Sequence, residues 1–175
     1  MEIPVIGNVT KDNQLGWLYS GEIKLSILNG FGKLVLDGYE KDSKRSDFIK
    51  AVKNFMSLDS NFLKCVEIEL FQYYEDTIVL SGLEDGEYVP IDSLDDVWNH
   101  VRLGKEPIVS RRHHGDKGIY ISLECECDWE EEHGLQIVFK NGNVINKLGS
   151  YDGHLTNSDA YAKKELEDVI YYSPT

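Results

Sequence analysis

The sequence feature that most constrains the fold is a pair of apolar runs flanking an Asn-Gly dipeptide, in the stretch GLQIVFKNGNVINKLG from Gly134 to Gly149. Asn-Gly favours the two-residue turn of a β-hairpin, because both central residues of that turn need positive φ. Leu135, Ile137 and Phe139 alternate before the turn with the period of a strand that buries one face. We therefore predict an antiparallel hairpin at this point in the chain.

The whole chain divides into strands, then helices, then strands again. The N-terminal stretch GWLYSGEIKLSIL alternates apolar residues at Ile23, Leu25 and Ile27, as a half-buried strand does. This order predicts a single α+β domain, in which an antiparallel sheet of N- and C-terminal strands carries a central group of about three helices. Its predicted parts are N-terminal hairpins over about 1–40, a helical middle over about 43–104, antiparallel strands over about 107–150, and a tail over 151–175 in which Ser158 to Ile170 can form a helix.

Apolar stripes locate the predicted helices. Phe48, Val52 and Phe55 fall on one face of the first helix, and a second helix follows the break LDSN. The third is predicted from DSLDDVWNHVRLG, with Asp92 as its N-cap and Gly104 as its C-terminal stop.

The chain is strongly acidic. Its 18 Lys and Arg residues face 31 Asp and Glu residues, which gives a net charge of −13. Nucleic acid is bound through Lys and Arg that displace its counterions, so this composition argues against a nucleic-acid partner. The one local basic run, SRRHHGDKG, is short and is predicted to be a polar loop. An acidic surface either solubilises the protein or steers it towards basic partners.

We expect neither a signal peptide nor a membrane-spanning segment from this sequence. The N-terminal residues show neither a basic region nor an apolar core of a signal peptide. No run of about 18 apolar residues predicts a membrane span. The three cysteines do not suggest a disulfide framework, and we therefore expect a cytoplasmic protein.

The stretch CECDWEEEHG concentrates the residues that could carry chemistry. Cys125 and Cys127 share one face of a predicted strand, where they either fill the core or ligate a metal. The chain is expected to turn between Asp128 and Gly134, with Trp129 packed on the sheet or a helix and at least two of the three glutamates in water.

A second group of candidates could assemble around this corner. Glu132 and His133 would meet Asp152 and His154 of YDGHL if the hairpin folds back, and such carboxylate–imidazole groups bind divalent metals or transfer protons. Alternatively, the glutamates are solvated and His133 has only a structural role. In that case we expect the His133 ring to donate a hydrogen bond to a backbone carbonyl or to Asp152.

These motifs resemble those of an uncharacterised family of small, acidic, mainly bacterial proteins. The shared pattern is a Trp, acidic residues, Glu-His-Gly and then Asp-Gly-His, here at Trp129, Glu132, His133, Gly134, Asp152, Gly153 and His154. Some similar proteins are encoded near toxin systems, so the resemblance implies an immunity role. It carries over no catalytic residue.

The sequence therefore predicts a non-enzymatic cytoplasmic protein that binds a basic protein partner, in its most specific form an immunity protein that neutralises a toxin. No catalytic residue, cofactor, nucleic acid or membrane is implied. The predicted partner-binding residues are acidic: Glu84, Asp85, Glu87, Glu130, Glu131 and Glu132. The alternative is a metal-dependent hydrolase or metal-binding domain that uses Glu132, His133, Asp152 and His154.

Overall fold

In a computed structural model, which describes residues 1–82 and 88–173, nine strands form one mixed sheet and two form a separate hairpin. The strands are β1 (Glu2–Ile3), β2 (Gly7–Lys11), β3 (Leu18–Ser20), β4 (Ile23–Leu25), β5 (Gly30–Gly32), β6 (Val35–Leu36), β7 (Val101–Leu103), β8 (Ile108–Arg111), β9 (Ile119–Cys127), β10 (Glu130–Lys140) and β11 (Val144–Gly149). The α-helices are α1 (Arg45–Met56), α2 (Glu67–Ser81) and α3 (Asn157–Tyr161). Short 3₁₀ helices lie at Ser26–Leu28, Tyr39–Lys41, Ser60–Val66, Leu94–His100 and Lys164–Leu166.

The sheet has the order β1-β2-β3-β6-β8-β9-β10-β11, with β7 also paired to β9. This arrangement confirms the α+β prediction, but the sheet is not purely antiparallel, because β6 and β8 run parallel. Parallel neighbours need a long crossover connection. Here the connection between β6 and β8 contains α1 and α2, and it brings β8 back beside β6.

The predicted Asn-Gly hairpin is confirmed as β10 and β11, but Lys140 pairs with Val144, so the loop has three residues rather than the expected two. Ile137 pairs with Leu148, and a bulge after Val138 shifts the register towards the turn. Asn141 and Gly142 both have positive φ, at 53° and 78°. The turn rests against α1, where Asn54 Nδ2 donates a hydrogen bond of 2.9 Å to the Asn141 carbonyl.

Helices α1 and α2 supply most of the helical part of the core. The predicted stripe of α1 is confirmed, because Phe48, Val52 and Phe55 are fully buried. Phe55 meets Phe139 of β10 edge to face, with ring centroids 5.1 Å apart. None of the helices within residues 1–82 and 88–173 is long and apolar enough to span a membrane.

The prediction of a third helix reaching Gly104 is wrong. A 3₁₀ helix ends at His100, and Val101–Leu103 forms β7. The N-cap is Ser93 rather than Asp92. The helical apolar pattern is overridden because Val101–Leu103 pairs with the end of β9, and such tertiary pairing was not visible in the local sequence.

The chain after β11, residues 150–173, is called the C-terminal segment here. The single helix predicted from Ser158 to Ile170 is replaced by α3 and a separate 3₁₀ turn, because Ala162 adopts a left-handed conformation that ends α3. The segment then lies along the edge of the sheet, where the Leu148 amide donates a hydrogen bond of 2.8 Å to the Ile170 carbonyl.

Candidate functional site

The corner between β9 and β10 is a tight turn followed by a bulge. Glu130 pairs with Cys127 and Leu135 pairs with Cys125, so four residues of β10 lie opposite a single residue of β9. The predicted corner between Asp128 and Gly134 is therefore confirmed. The extra residues project from the sheet and place the acidic run at its surface.

Gly134 ends the bulge at a position that only glycine can occupy without strain. Its φ is +62°, and a Cβ there would lie 2.4 Å from the carbonyl oxygen of Cys125. The Tyr73 hydroxyl of α2 donates a hydrogen bond of 2.8 Å to the Gly134 carbonyl. Helix α2 thus fixes the point at which the chain returns to the sheet.

Trp129 anchors the other end of the bulge. Its side chain is only 7% exposed. It packs edge to face on Tyr73 and Tyr74 of α2, with ring centroids 5.9 and 5.7 Å away. This confirms the predicted packing of Trp129 on a helix and fixes the position of the neighbouring glutamates.

The three consecutive glutamates have different environments. Glu130 is half-buried, and its Oε1 accepts hydrogen bonds from the backbone amides of Glu132 (3.0 Å) and His133 (3.2 Å). Glu131 and Glu132 are exposed, as predicted from the cost of burying three carboxylates. Glu130 therefore shapes the bulge, while its neighbours present charge to solvent.

The bulge forms one wall of an open cavity of about 770 Å³, called the acidic groove here. The opposite wall is the chain from β7 to Glu106, and β9 forms the floor. Its carboxylates belong to Glu106, Glu124, Glu126, Glu130, Glu131 and Glu132, and its Lys and Arg residues are Arg102 and Lys105.

The Arg102 charge is already paired. Its guanidinium donates hydrogen bonds to Glu126 (2.9 Å) and to Asp128 (2.5 Å). Hydrogen bonds from Arg102 and His100 hold the pKa of Asp128 below its usual value. The groove consequently keeps a negative balance.

The expected hydrogen bond from His133 is not present, and this prediction is wrong. The His133 side chain is 53% exposed, and its closest charged group is Glu130, with Nδ1 and Oε2 3.6 Å apart. The ring makes no hydrogen bond to a backbone carbonyl or to Asp152 within the part of the chain that the structure describes. The bulge turns this side chain outwards instead of into the sheet.

We expect His133→Ala to change the free energy of unfolding by less than about 0.5 kcal/mol, because substitutions at exposed, weakly paired sites are usually within that range. Glu131→Ala, two residues earlier and also exposed, should change the free energy of unfolding equally little. Urea denaturation of both variants measures the difference. A loss of about 1 kcal/mol or more in His133→Ala alone would show a buried contact at this ring.

The four residues of the metal alternative do not assemble into a cluster. Asp152 Oδ1 instead accepts hydrogen bonds from Lys147 Nζ (2.5 Å) and from the His154 amide (2.8 Å). Within residues 1–82 and 88–173, no group of three or more His, Cys, Asp or Glu side chains could hold a metal ion. A metal site would require the side chains of Glu132, His133, Asp152 and His154 to converge, and they do not.

The CEC cysteines fill the core. Cys125 and Cys127 are 3% and 2% exposed and are not joined in a disulfide. Burial raises the pKa of each thiol to about 12, so both stay protonated at neutral pH. Metal ligation needs thiolates, and the core-filling interpretation fits better.

Two buried cations were missed at the level of sequence. Arg112, assigned to a polar loop, is 4% exposed and binds Asp159 and Glu167 of the C-terminal segment. Lys147 is 2% exposed and binds Gln136 and Asp152. Burial lowers the pKa of Lys147, and the ion pair with Asp152 opposes that shift.

Half of the predicted partner-binding residues cannot be placed. Glu84, Asp85 and Glu87 lie outside the residues that the structure describes. The other three, Glu130, Glu131 and Glu132, all line the acidic groove. The groove is therefore the candidate partner-binding surface.

Comparisons with known proteins give one match. A protein-family model described as a domain of unknown function (DUF6985) matches residues 5–155. No curated protein and no solved structure matches the chain. The matched range includes the whole acidic groove and stops just before α3.

Proposed function

The chain belongs to the DUF6985 family, whose description gives no activity, and we propose that it is a non-enzymatic protein-binding protein whose acidic groove receives a basic segment of a partner. The observation that carries the proposal is the charge of the groove, where six glutamates face Arg102 and Lys105. Like charges gathered in one cleft reinforce each other's field and attract oppositely charged partners.

The groove also has a spacing that suits an extended partner. Glu124 and Glu126 are exposed on the same face of β9, two residues apart along one strand. Such positions are separated by about 7 Å. A strand or extended loop with Lys or Arg at alternate positions has the same repeat, so that one cation can bind Glu124 while the next competes with Arg102 for Glu126.

The side chains that line the groove favour binding over catalysis. Its thiols are buried and protonated, its histidine is exposed, and Arg102 is paired. A nucleophilic mechanism would need a nucleophile held next to a base. Carboxylates on the rim of an interface instead raise the association rate and select the sign of the partner.

In its most specific form, the proposal is that the partner is a basic toxin, which the protein neutralises in the bacterial cytoplasm. Support comes from the net charge of −13 and from the resemblance to proteins encoded near toxin systems. An acidic protein that covers the basic surface of a nuclease also covers the surface that binds nucleic acid.

Charge reversal tests the groove. Glu124→Lys, Glu131→Lys and Glu132→Lys together should reduce partner recovery at least about tenfold in a pull-down from the source cells, because rim charges govern association. The control is Glu2→Lys, Glu22→Lys and Glu165→Lys, which changes the net charge equally at exposed sites outside the groove.

The wild-type protein should recover a stoichiometric partner at low salt and less of it at high salt, because salt screens exposed charges. Equal losses in the two triple variants would assign the effect to net charge alone and contradict a groove-specific site. Recovery of no stoichiometric partner at low or physiological salt would contradict the binding function itself.

A further inference from the structure

A second cavity lies between the C-terminal end of α2, the end of β11 and the C-terminal segment. Its volume is about 340 Å³, at the lower end of the range for small-molecule pockets. Four tyrosines line it, together with two carboxylates: Tyr73, Tyr161, Tyr171, Tyr172, Glu130 and Asp152. We call it the tyrosine cavity.

The tyrosine rings form two edge-to-face or tilted pairs. Tyr161 and Tyr172 have ring centroids 4.8 Å apart, and Tyr73 and Tyr171 have centroids 6.0 Å apart. Two of the hydroxyls are anchored outside the pairs: Tyr73 donates to the Gly134 carbonyl, and Tyr171 donates to Asp76 Oδ2 at 2.9 Å. These contacts hold their rings in place.

The electrostatic surroundings of the cavity favour a cation. Glu130 and Asp152 carry two negative charges against the single positive charge of Lys147, so the lining has a net charge of −1. Helix α2 ends at Ser81, another lining residue, and the C-terminus of a helix carries partial negative charge. The Lys147 ammonium is already bound by Asp152 and Gln136, so its positive charge is paired inside the protein.

Asp152 retains capacity for a ligand. Its contacts with Lys147 Nζ, the His154 amide and His154 Nδ1 all involve Oδ1. The Nζ of Lys163 lies 5.1 Å from the Tyr172 ring centroid. It is closer to the Tyr172 hydroxyl, at 2.9 Å, and therefore sits towards the edge of the ring.

We propose that the tyrosine cavity binds a small organic ammonium ion carrying N-methyl groups. Aromatic faces attract such cations through the ring quadrupole, and quaternary ammonium groups are recognised by cages of this composition. The carboxylates add charge attraction, and the volume admits one small molecule. The site is distinct from the proposed partner groove, although Glu130 lines both cavities.

Isothermal titration of the wild-type protein with choline and with 3,3-dimethylbutan-1-ol separates charge from shape, because the alcohol is the uncharged isostere of choline. We expect saturable choline binding and at least tenfold weaker binding of the alcohol. Equal binding of the two would show an apolar site and overturn the proposal. The absence of saturable choline binding at millimolar concentration would overturn it as well.

Variants locate the site. Tyr161 is 37% exposed, so the fold should tolerate its replacement. Tyr161→Phe keeps an aromatic face and should retain choline affinity, whereas Tyr161→Leu should lose it by roughly tenfold. Tyr172→Leu provides a second test, circular dichroism checks folding, and Tyr19→Leu on β3 is the control outside the cavity. Full affinity in both leucine variants of the cavity would overturn the proposal.

Discussion

Arg112→Met is expected to lower the free energy of unfolding by about 3–5 kcal/mol, because removing one partner of a buried ion pair leaves the others uncompensated. The Arg112 guanidinium is 4% exposed and donates hydrogen bonds to Asp159, Glu167 and Ser158. Urea denaturation measures the loss. It should also show whether the C-terminal segment detaches before the sheet unfolds.

The matched control is Arg102→Met. Arg102 also binds two carboxylates, Glu126 and Asp128, but its side chain is 58% exposed. Exposed ion pairs contribute far less to stability than buried ones, because solvent screens both charges. Similar losses at Arg112 and Arg102 would contradict the assignment of Arg112 as a buried anchor.

The same cluster predicts a pH dependence. Hydrogen bonds from Arg112 hold the pKa values of Asp159 and Glu167 below their usual range. A carboxyl whose pKa is lower in the folded state stabilises the protein fully above its unfolded pKa of about 4 and loses that contribution as pH falls through the folded pKa. Wild type should therefore lose more stability on acidification below about pH 5 than Arg112→Met does.

Gly142→Ala is expected to destabilise the protein by about 4 kcal/mol, because two costs coincide. The residue has φ of +78°, and a Cβ would lie 2.0 Å from the Ala51 carbonyl oxygen of α1. Strained backbone costs about 1–3 kcal/mol, and overpacking costs a similar amount. Thermal or urea unfolding of the purified variant measures the sum.

Gly153→Ala measures the backbone cost alone, so the difference between the two variants gives the steric cost. Gly153 has nearly the same φ, +76°, but a Cβ there would meet nothing within 4 Å. Its loss should be about 1 kcal/mol, from the backbone alone. If both variants lose the same amount, the contact between the hairpin turn and α1 does not contribute.

Local patterns predicted the parts of the fold whose cause is local. Positive φ at Asn141 and Gly142 follows from the turn chemistry of Asn-Gly, and the buried stripe of α1 follows from helical periodicity. The parallel pairing of β6 with β8 could not be predicted in this way, because it depends on where a chain of many residues returns. The same applies to β7, which is a strand only because β9 lies beside it.

In the candidate site, too, some features follow from the local sequence and others depend on contacts with distant segments. Exposure of Glu131 and Glu132 follows from the cost of burying consecutive carboxylates. The buried pairing of Lys147 with Asp152 leaves no local pattern, since a lysine on an alternating strand resembles a solvent-facing residue until another segment covers it. The exposure of His133 could not be predicted locally, because it follows from the register shift between Glu130 and Leu135 in the pairing with β9.

The position of the C-terminal segment has a consequence for self-association. An uncovered edge strand presents unpaired amides and carbonyls that can template pairing with another molecule. On this side of the sheet the Ile170 carbonyl accepts from Leu148 of β11, and α3 precedes it on the same segment. The ion pairs of Arg112 therefore do more than add stability. They hold the segment that accepts the Leu148 amide at the sheet edge, so we expect loss of Arg112 to expose this edge to pairing with another molecule.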